Sequence, residues 1–323
     1  MTIDKRPSGS YRIRQMDNGK MYSVTIPYKP TKKEAYGLIQ DKINHRVNVS
    51  MTFEEAAKKY IKAKSNVLSP STIRGYESLL RSIPDNFKAY DISEIDDYSV
   101  QIVVNDYAID HSPKTVANFA NFIITVIRLF IPKTDISVTL PKKIHKEPYI
   151  PTIDDVKALL NASKGTEYYV PLRLATLSLR ASEICALTLD DLKDDTLTIN
   201  KALVRGSNGY VLKPTPKTDK SNRTIIIPHD LAELIRKQGY IYNKYPLQID
   251  KYIRRTLPKL GIEHFSIHKL RHFFASYAHD LGYSDAIIQS IGGWSTDNVM
   301  KKVYRHAMNV DDAKKSMAND FNL

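Results

Sequence analysis

The sequence predicts a multidomain, mainly α protein. It reads as a small ββ(β)α module, then an all-helical region, then a mostly α (α+β) region with a three-stranded antiparallel sheet. Three observations carry this. Apolar and polar residues alternate in 10–28, and short strand-like segments recur at 196–204, 210–213 and 223–228, the last of them β-branched. Apolar residues at helical spacing, opened by capping residues, fill 50–130 and most of the chain after Thr152. A polar, proline-bearing stretch from Pro132 to Pro151 lies between the two helical regions. The 323 residues also allow two or three domains at roughly 100–200 residues each.

The elements follow in order. Residues 10–28 form a hairpin turned by Asp17-Asn18-Gly19. Thr31, with Glu34 three residues on, caps a helix after it. A module this small is marginal alone. Thr52-Phe-Glu-Glu55 is a capping box, followed by Ala56, Ala57, Tyr60 and Ile61 at helical spacing. Ser69-Pro70-Ser71-Thr72 and Ser112-Pro113-Lys114-Thr115 are two similar helix starts, Ser capping and Pro first in the helix. Each offers N–H groups and hydroxyls to a phosphate; each is also an ordinary cap. Lys142, Lys143 and Lys146 sit in the linker, and Thr152 to Asp155 caps a new helix. Helices are expected near 153–162, 168–178, 180–187, 230–238, 248–257, 266–281, 284–291 and 296–307, around a three-stranded meander with a turn at Gly206 to Gly209.

Composition narrows the classes. Cys185 is alone, which excludes a disulfide scaffold and a Cys-based zinc site and fits a reducing cytosol. No run reaches transmembrane length, and Arg128 breaks the most apolar one, Phe122 to Ile131. Met1 to Pro7 has no apolar core, so no signal peptide is expected. The net charge is +13. Residues 1–50 hold ten Lys/Arg against four Asp/Glu, residues 51–147 thirteen against twelve, and the rest twenty-five against nineteen. That excess favours a polyanion partner, concentrated at the two ends of the chain.

Several segments could carry chemistry. In Ser266 to Tyr277, Leu270, Phe274, Tyr277 and Leu281 read as one buried stripe, with His268 and Arg271 together on another face and His272 off it. Such a basic pair near a helix start suits an anion, or is simply solvated. Arg180 and Glu183 stand three apart and make a local ion pair. Arg180 also lies among Leu179, Ile184 and Leu187, and a partly buried Arg needs a carboxylate or phosphate partner. Lys213, Lys217, Lys220 and Arg223 line a basic loop that enters a β-branched strand. Gly292-Gly293 ends a helix before Trp294, the sole tryptophan, and Ser295 caps the next helix, which carries Tyr304, one of twenty tyrosines.

Together these segments resemble the tyrosine recombinase (phage integrase) family. The order matches: Leu179-Arg180-x-Ser-Glu183, Pro216-Lys217-Thr218, His268-x-Leu-Arg271-His272, Gly293-Trp294, then Tyr304. The resemblance spans the chain and implies an arm-DNA-binding module at 1–48, a helical core-DNA-binding (SAM-like) domain at 49–140, a linker at 141–151 and a catalytic domain at 152–323. It implies that Arg180 and Arg271 clamp the scissile phosphate, that Lys217 protonates the leaving oxygen, and that His268 bonds the phosphate or takes the tyrosine proton. Tyr304 would be the nucleophile, Trp294 would act by packing and its indole N–H, and Glu183 and His272 would support. DNA contacts would come from Arg12, Arg14, Lys20, Ser71, Thr72, Arg74, Lys114, Thr115, Lys142 and Lys143. Two positions depart from the pattern: Ser178 stands where the first motif usually has Gly, and Trp294 where His is usual.

The resemblance implies a site-specific recombinase of a phage or mobile element that cleaves double-stranded core and arm sites. It would work through a 3′-phosphotyrosine and a Holliday junction, as a tetramer on DNA, without cofactor or metal. Its tail after Arg305 would dock on a neighbouring protomer, or end as a frayed helix, and an accessory bending or excision factor is an expected partner. The setting would be cytoplasmic and nucleoid-associated. Competing readings are a DNA-binding regulator without catalysis, which Ser178 and Trp294 leave room for, and a metal-dependent nuclease using His268 and His272. A housekeeping chromosome-dimer recombinase is the nearest functional relative, and residues 1–45 weigh against it.

Overall fold

The computed structural model describes residues 1–7, 9–17, 19–44, 51–132, 134–143, 149–214 and 222–294. The N-terminal alternation forms a hairpin, β2 (Tyr11–Asp17) against β3 (Lys20–Ile26), with Asp17 opposite Lys20 across the turn. β1 (Thr2–Lys5) adds antiparallel to β2, which realises the bracketed third strand. α1 (Lys32–Asn44) follows, with Thr31 and Glu34 bonded to each other at its start. Period two on the strands and 3.6 on the helix bring Ile13, Tyr22, Ala35 and Ile39 into one small core.

A second core holds the helices α2 (Phe53–Lys64), α3 (Pro70–Ser82), α4 (Asp85–Lys88), α5 (Asp97–Ala108) and α6 (Pro113–Phe130). The caps are those expected: Thr52 with Glu55, and Ser69 and Ser112 each before a first-turn proline. Phe53, Phe119, Ile123 and Ile127 are fully or almost fully buried; each such side chain contributes about 1.5–3 kcal/mol relative to exposure. The start of the predicted linker stays with these helices. Ile136 is buried, Ser137 N–H donates to Asp97, and Thr139 N–H donates to Gln101 at 2.7 Å.

The chain divides into two compact units, Met1–Ile144 and His145–Leu323. The second contains α7 (Ile153–Ser163), α8 (Tyr169–Thr176), α9 (Ala181–Ile184), β4 (Leu192–Lys193), β5 (Thr196–Ile199), β6 (Lys201–Gly206), β7 (Gly209–Pro214) and β8 (Arg223–Ile226). It continues with α10 (His229–Gln238), α11 (Pro246–Thr256), α12 (Ile267–Asp280) and α13 (Asp285–Gly292). One apolar core runs through it, from Leu159 and Leu172 to Ile253 and Leu270.

Three expectations are corrected. The meander is not one sheet. Strand 196–204 breaks at Asn200, so β5 pairs with β4 and β8 in a three-stranded antiparallel sheet, while β6 and β7 form a separate hairpin. The helix expected at 180–187 is one turn, because Thr188 opens a new capped turn with Asp191. On α12 the buried face is Ile267, Leu270, Arg271, Phe273, Ala275 and Ser276; Tyr277 and Leu281 are exposed. Arg271 is inside, which turns the buried face away from the stripe that apolar spacing alone predicts.

Candidate active site

The site is built from the two ends of short elements in the second unit. Arg180 caps α9, and the Glu183 carboxylate folds back on it, accepting from the Arg180 backbone N–H at 2.9 Å and from Nη1 at 2.6 Å. Glu183 is 2% exposed, and one partner would not compensate such burial. Arg223, the first residue of β8, supplies the second, donating from Nη1 and Nη2 at 3.3 and 3.0 Å. Burial would raise the Glu183 pKa, but the Arg223 bonds and the charges of Arg223 and Arg180 hold it below the usual carboxylate range. Arg223 Nε also donates to the Ile291 carbonyl at 2.9 Å. A single buried guanidinium thus joins β8, α9 and the end of α13. Sequence reasoning left Arg223 among loop charges; its place at the head of an alternating strand, with Ile225 inward, was the signal available.

Arg271 is buried inside α12 at 2% exposure. Its Nη1 donates to the Ser178 carbonyl at 2.5 Å and to Ser178 Oγ at 3.0 Å. Its guanidinium carbon lies 3.9 Å from the centroid of the Trp294 ring, a cation–π contact. Nη2 has no hydrogen-bond partner among the described residues. Burial, then the charge of Arg180, push the Arg271 pKa down to about 9, with Glu183 opposing and Arg223 adding. The group remains charged at neutral pH, and an anion is what would relieve it.

Trp294 reaches Arg271 because two glycines let it. A Cβ on Gly292 would stand 1.8 Å from the indole ring, and Gly293, at φ +62, ends α13 where a Cβ would meet Arg223 at 3.0 Å. His268 lies in the first turn of α12, the helix that carries Arg271. Asp250 accepts from the Ile267 N–H at 2.9 Å and so occupies the helix N-terminus there. Burial, then Arg271 and Arg180, lower the His268 pKa below the ordinary range. His272 stands edge-on to His268 at 4.9 Å, its Nδ1 without a partner among the described residues, and burial with His268 pushes it down to about 4. Among the described residues no group of three His, Cys, Asp or Glu side chains could hold a metal ion.

The structure therefore gathers Arg180, Glu183, His268, Arg271, His272 and Trp294, and adds Ser178 and Arg223. Lys217, Tyr304, Ser295 and the tail lie outside the described residues. Two guanidiniums beside a neutral imidazole can bind a tetrahedral oxyanion and exchange a proton next to it.

In the first unit, Thr72, Arg74, Gly75, Ser78, Thr115, Asn118, Asn121 and Thr125 line a groove of about 590 Å³ between α3 and α6. Its floor is aromatic: Tyr76 stacks on Phe122 at 5.3 Å, and Tyr60 packs on both. Thr72 and Thr115 spend hydroxyls on the caps at Ser69 and Ser112, at 2.8 and 2.9 Å. Ser71, Lys114, Lys142 and Lys143 are exposed. Arg14 is ion-paired with Asp4 and Arg12 is half-buried; the Lys20 side chain lies outside the described residues. No described helix is long and apolar enough to cross a membrane.

Comparison with known proteins bears on the family and the fold. Residues 152–310 match the phage integrase family, and residues 52–108 match the phage integrase N-terminal SAM-like domain. A curated relative, the tyrosine recombinase XerC of Caldanaerobacter subterraneus subsp. tengcongensis, is 24% identical over 219 residues, 62% of this chain and 58% of the relative. The chain thus matches little more than half the length of that relative. Among solved structures, the Tn1549 transposon integrase in complex with transposon right end DNA shares the fold at TM-score 0.67 and 19% identity, covering 83% of this chain and 99% of that one. A lambda integrase from a tetramer bound to a Holliday junction does so at TM-score 0.58 and 17% identity, covering 93% and 94%. With two integrase family models matched in order over residues 52–108 and 152–310, the chain belongs to the tyrosine recombinase (phage integrase) family.

Proposed function

We propose that the protein is a site-specific DNA recombinase of a mobile element, cleaving and rejoining DNA through a 3′-phosphotyrosine intermediate and a Holliday junction. The observation that carries this is Arg271: a buried guanidinium with one arm anchored and Nη2 unpartnered among the described residues, beside Arg180. A scissile phosphate supplies the missing acceptor.

In the cleavage step Tyr304 Oη attacks phosphorus, the new P–Oη bond forms and the bond to the 5′ oxygen breaks. Arg180 and Arg271 stabilise charge on the non-bridging oxygens. His268, kept neutral by its lowered pKa, takes the phenol proton, and Lys217 gives one to the departing 5′ oxygen. Trp294 packs on Arg271 and exchanges no proton. Glu183 supports Arg180, while His272 packs behind His268. The link stores the bond energy, so a second DNA end reverses the step without a cofactor.

DNA is held by three surfaces. Residues 1–48 serve as the arm-site module, with Arg12, Arg14 and Lys20 as its DNA contacts. Residues 49–140 hold the core site through the α3–α6 groove, with Ser71, Thr72, Arg74, Lys114 and Thr115, and Lys142 and Lys143 follow along the linker at 141–151. Residues 152–323 perform the chemistry, within a tetramer. The related structures bound to DNA and to a Holliday junction support this assembly.

A core-site suicide substrate tests the reading. The wild type traps a covalent protein–DNA adduct, and Tyr304→Phe binds the same DNA with no adduct. Binding without an adduct in the wild type would instead identify a non-catalytic regulator, and an adduct from Tyr304→Phe would move the nucleophile elsewhere.

A further inference from the structure

Ser178 sits in an unusual place. Its φ is +75, in the left-handed region that favours glycine, and its side chain is fully buried. The other non-glycine residue with positive φ among the described residues, Asp194, lies on an exposed turn. A buried side chain held in a strained backbone persists when something nearby compensates it. Here the compensation is visible. Nη1 of Arg271 carries two N–H bonds, and Ser178 offers two acceptors, its carbonyl oxygen at 2.5 Å and its Oγ at 3.0 Å. A carbonyl alone would leave the guanidinium free to swing in its plane; the second acceptor fixes it. Trp294 covers the face of the same group at 3.9 Å. In-plane and out-of-plane motions are thus restrained by different residues, and Nη2 is the arm left over.

We infer that Ser178 is a positioning residue for the cleavage reaction: its hydroxyl fixes Nη1 of Arg271 so that Nη2 meets the scissile phosphate. This rests on the reading of Arg271 as a phosphate ligand. It acts through Arg271 and touches no substrate. The left-handed backbone is the strain accepted for that hydroxyl.

Two variants separate geometry from stability. Ser178→Gly and Ser178→Ala both lose Oγ, but only glycine relieves the backbone, so the glycine variant melts above the alanine variant. Single-turnover cleavage of a suicide substrate at saturating DNA is expected to fall on the order of 10-fold in both, with DNA affinity held within about 2-fold because most phosphate contacts lie elsewhere. Cleavage that follows the melting temperature, with the glycine variant at the wild-type rate, overturns the inference. In an Arg271→Lys background, which lacks Nη1, adding Ser178→Gly lowers the rate no further; a full additional drop also overturns it. Arg271→Ala at the wild-type rate would sink the reading of Arg271 itself, a separate outcome.

Discussion

The arginine centre of the second unit and the α3–α6 groove of the first are both polar surfaces, made in opposite ways. In the groove, Arg74, Asn118, Asn121 and Thr125 are exposed and stand on a packed aromatic floor. In the centre, Glu183, Arg223 and Arg271 are almost fully buried, and all but one of their guanidinium-terminal nitrogens bond to the protein. Exposed polar groups on a rigid floor cost little to maintain and rearrange to suit a ligand. Buried charges cost several kcal/mol each unless paired, but then they cannot move. The groove can therefore absorb a substitution that the buried centre cannot.

Breaking Arg223 tests the rigid side most strongly. Arg223→Met leaves Glu183 buried with Arg180 as its one remaining cation. We expect a destabilisation of about 3 kcal/mol, seen as a lower denaturant midpoint, and cleavage reduced about 10–100-fold. If Arg223 acts through Glu183, the double variant with Glu183→Gln is no worse than the poorer single variant. Full additivity in cleavage rate would show the two to be independent.

The groove should give smaller, graded effects. Arg74→Ala is expected to weaken core-site DNA about 3–10-fold and to lower the salt slope of binding by about 1. Asn121→Ala should cost about 1–3 kcal/mol on one base pair only if it reads a base edge. Equal loss on all sequences would make it a backbone contact. Neither variant should change the melting temperature, since both side chains are exposed.

Acid should distinguish the two surfaces most weakly. His272 takes its proton near pH 4 in the folded chain, and near 6.5 once unfolded. Between those values the unfolded state binds more protons, so stability rises with pH across that window. His268, lowered in the same direction, adds to it. The His272→Asn variant should lose less of its melting temperature than the wild type between pH 7 and pH 5. Equal losses would place the acid sensitivity outside this helix.

Much of the frame was legible in the sequence because its causes are local. Thr52 with Glu55, Ser69 and Ser112 before prolines, and Thr152 with Asp155 all cap the helices expected of them. Asp17 to Lys20 turns the hairpin. The short α9 is ended locally by Thr188 and Asp191, but the other two differences have their cause in partners far along the chain. Arg271 turned inward because Ser178 and Trp294 receive it, which displaced the reading of the α12 face. Strand 196–204 breaks because its first half pairs with β8, which returns from residue 223, while its second half pairs locally with β7.

The kinds of elements, their order and the motif residues follow from short stretches of sequence, since periodicity, caps and motif spacing are local properties. Tertiary structure decided which charges are buried, that Arg223 and not only Arg180 holds Glu183, and that Ser178 takes a backbone usually left to glycine. Burial and pairing depend on contacts such as the 93-residue separation of Ser178 from Arg271, and no local pattern encodes a partner at that distance.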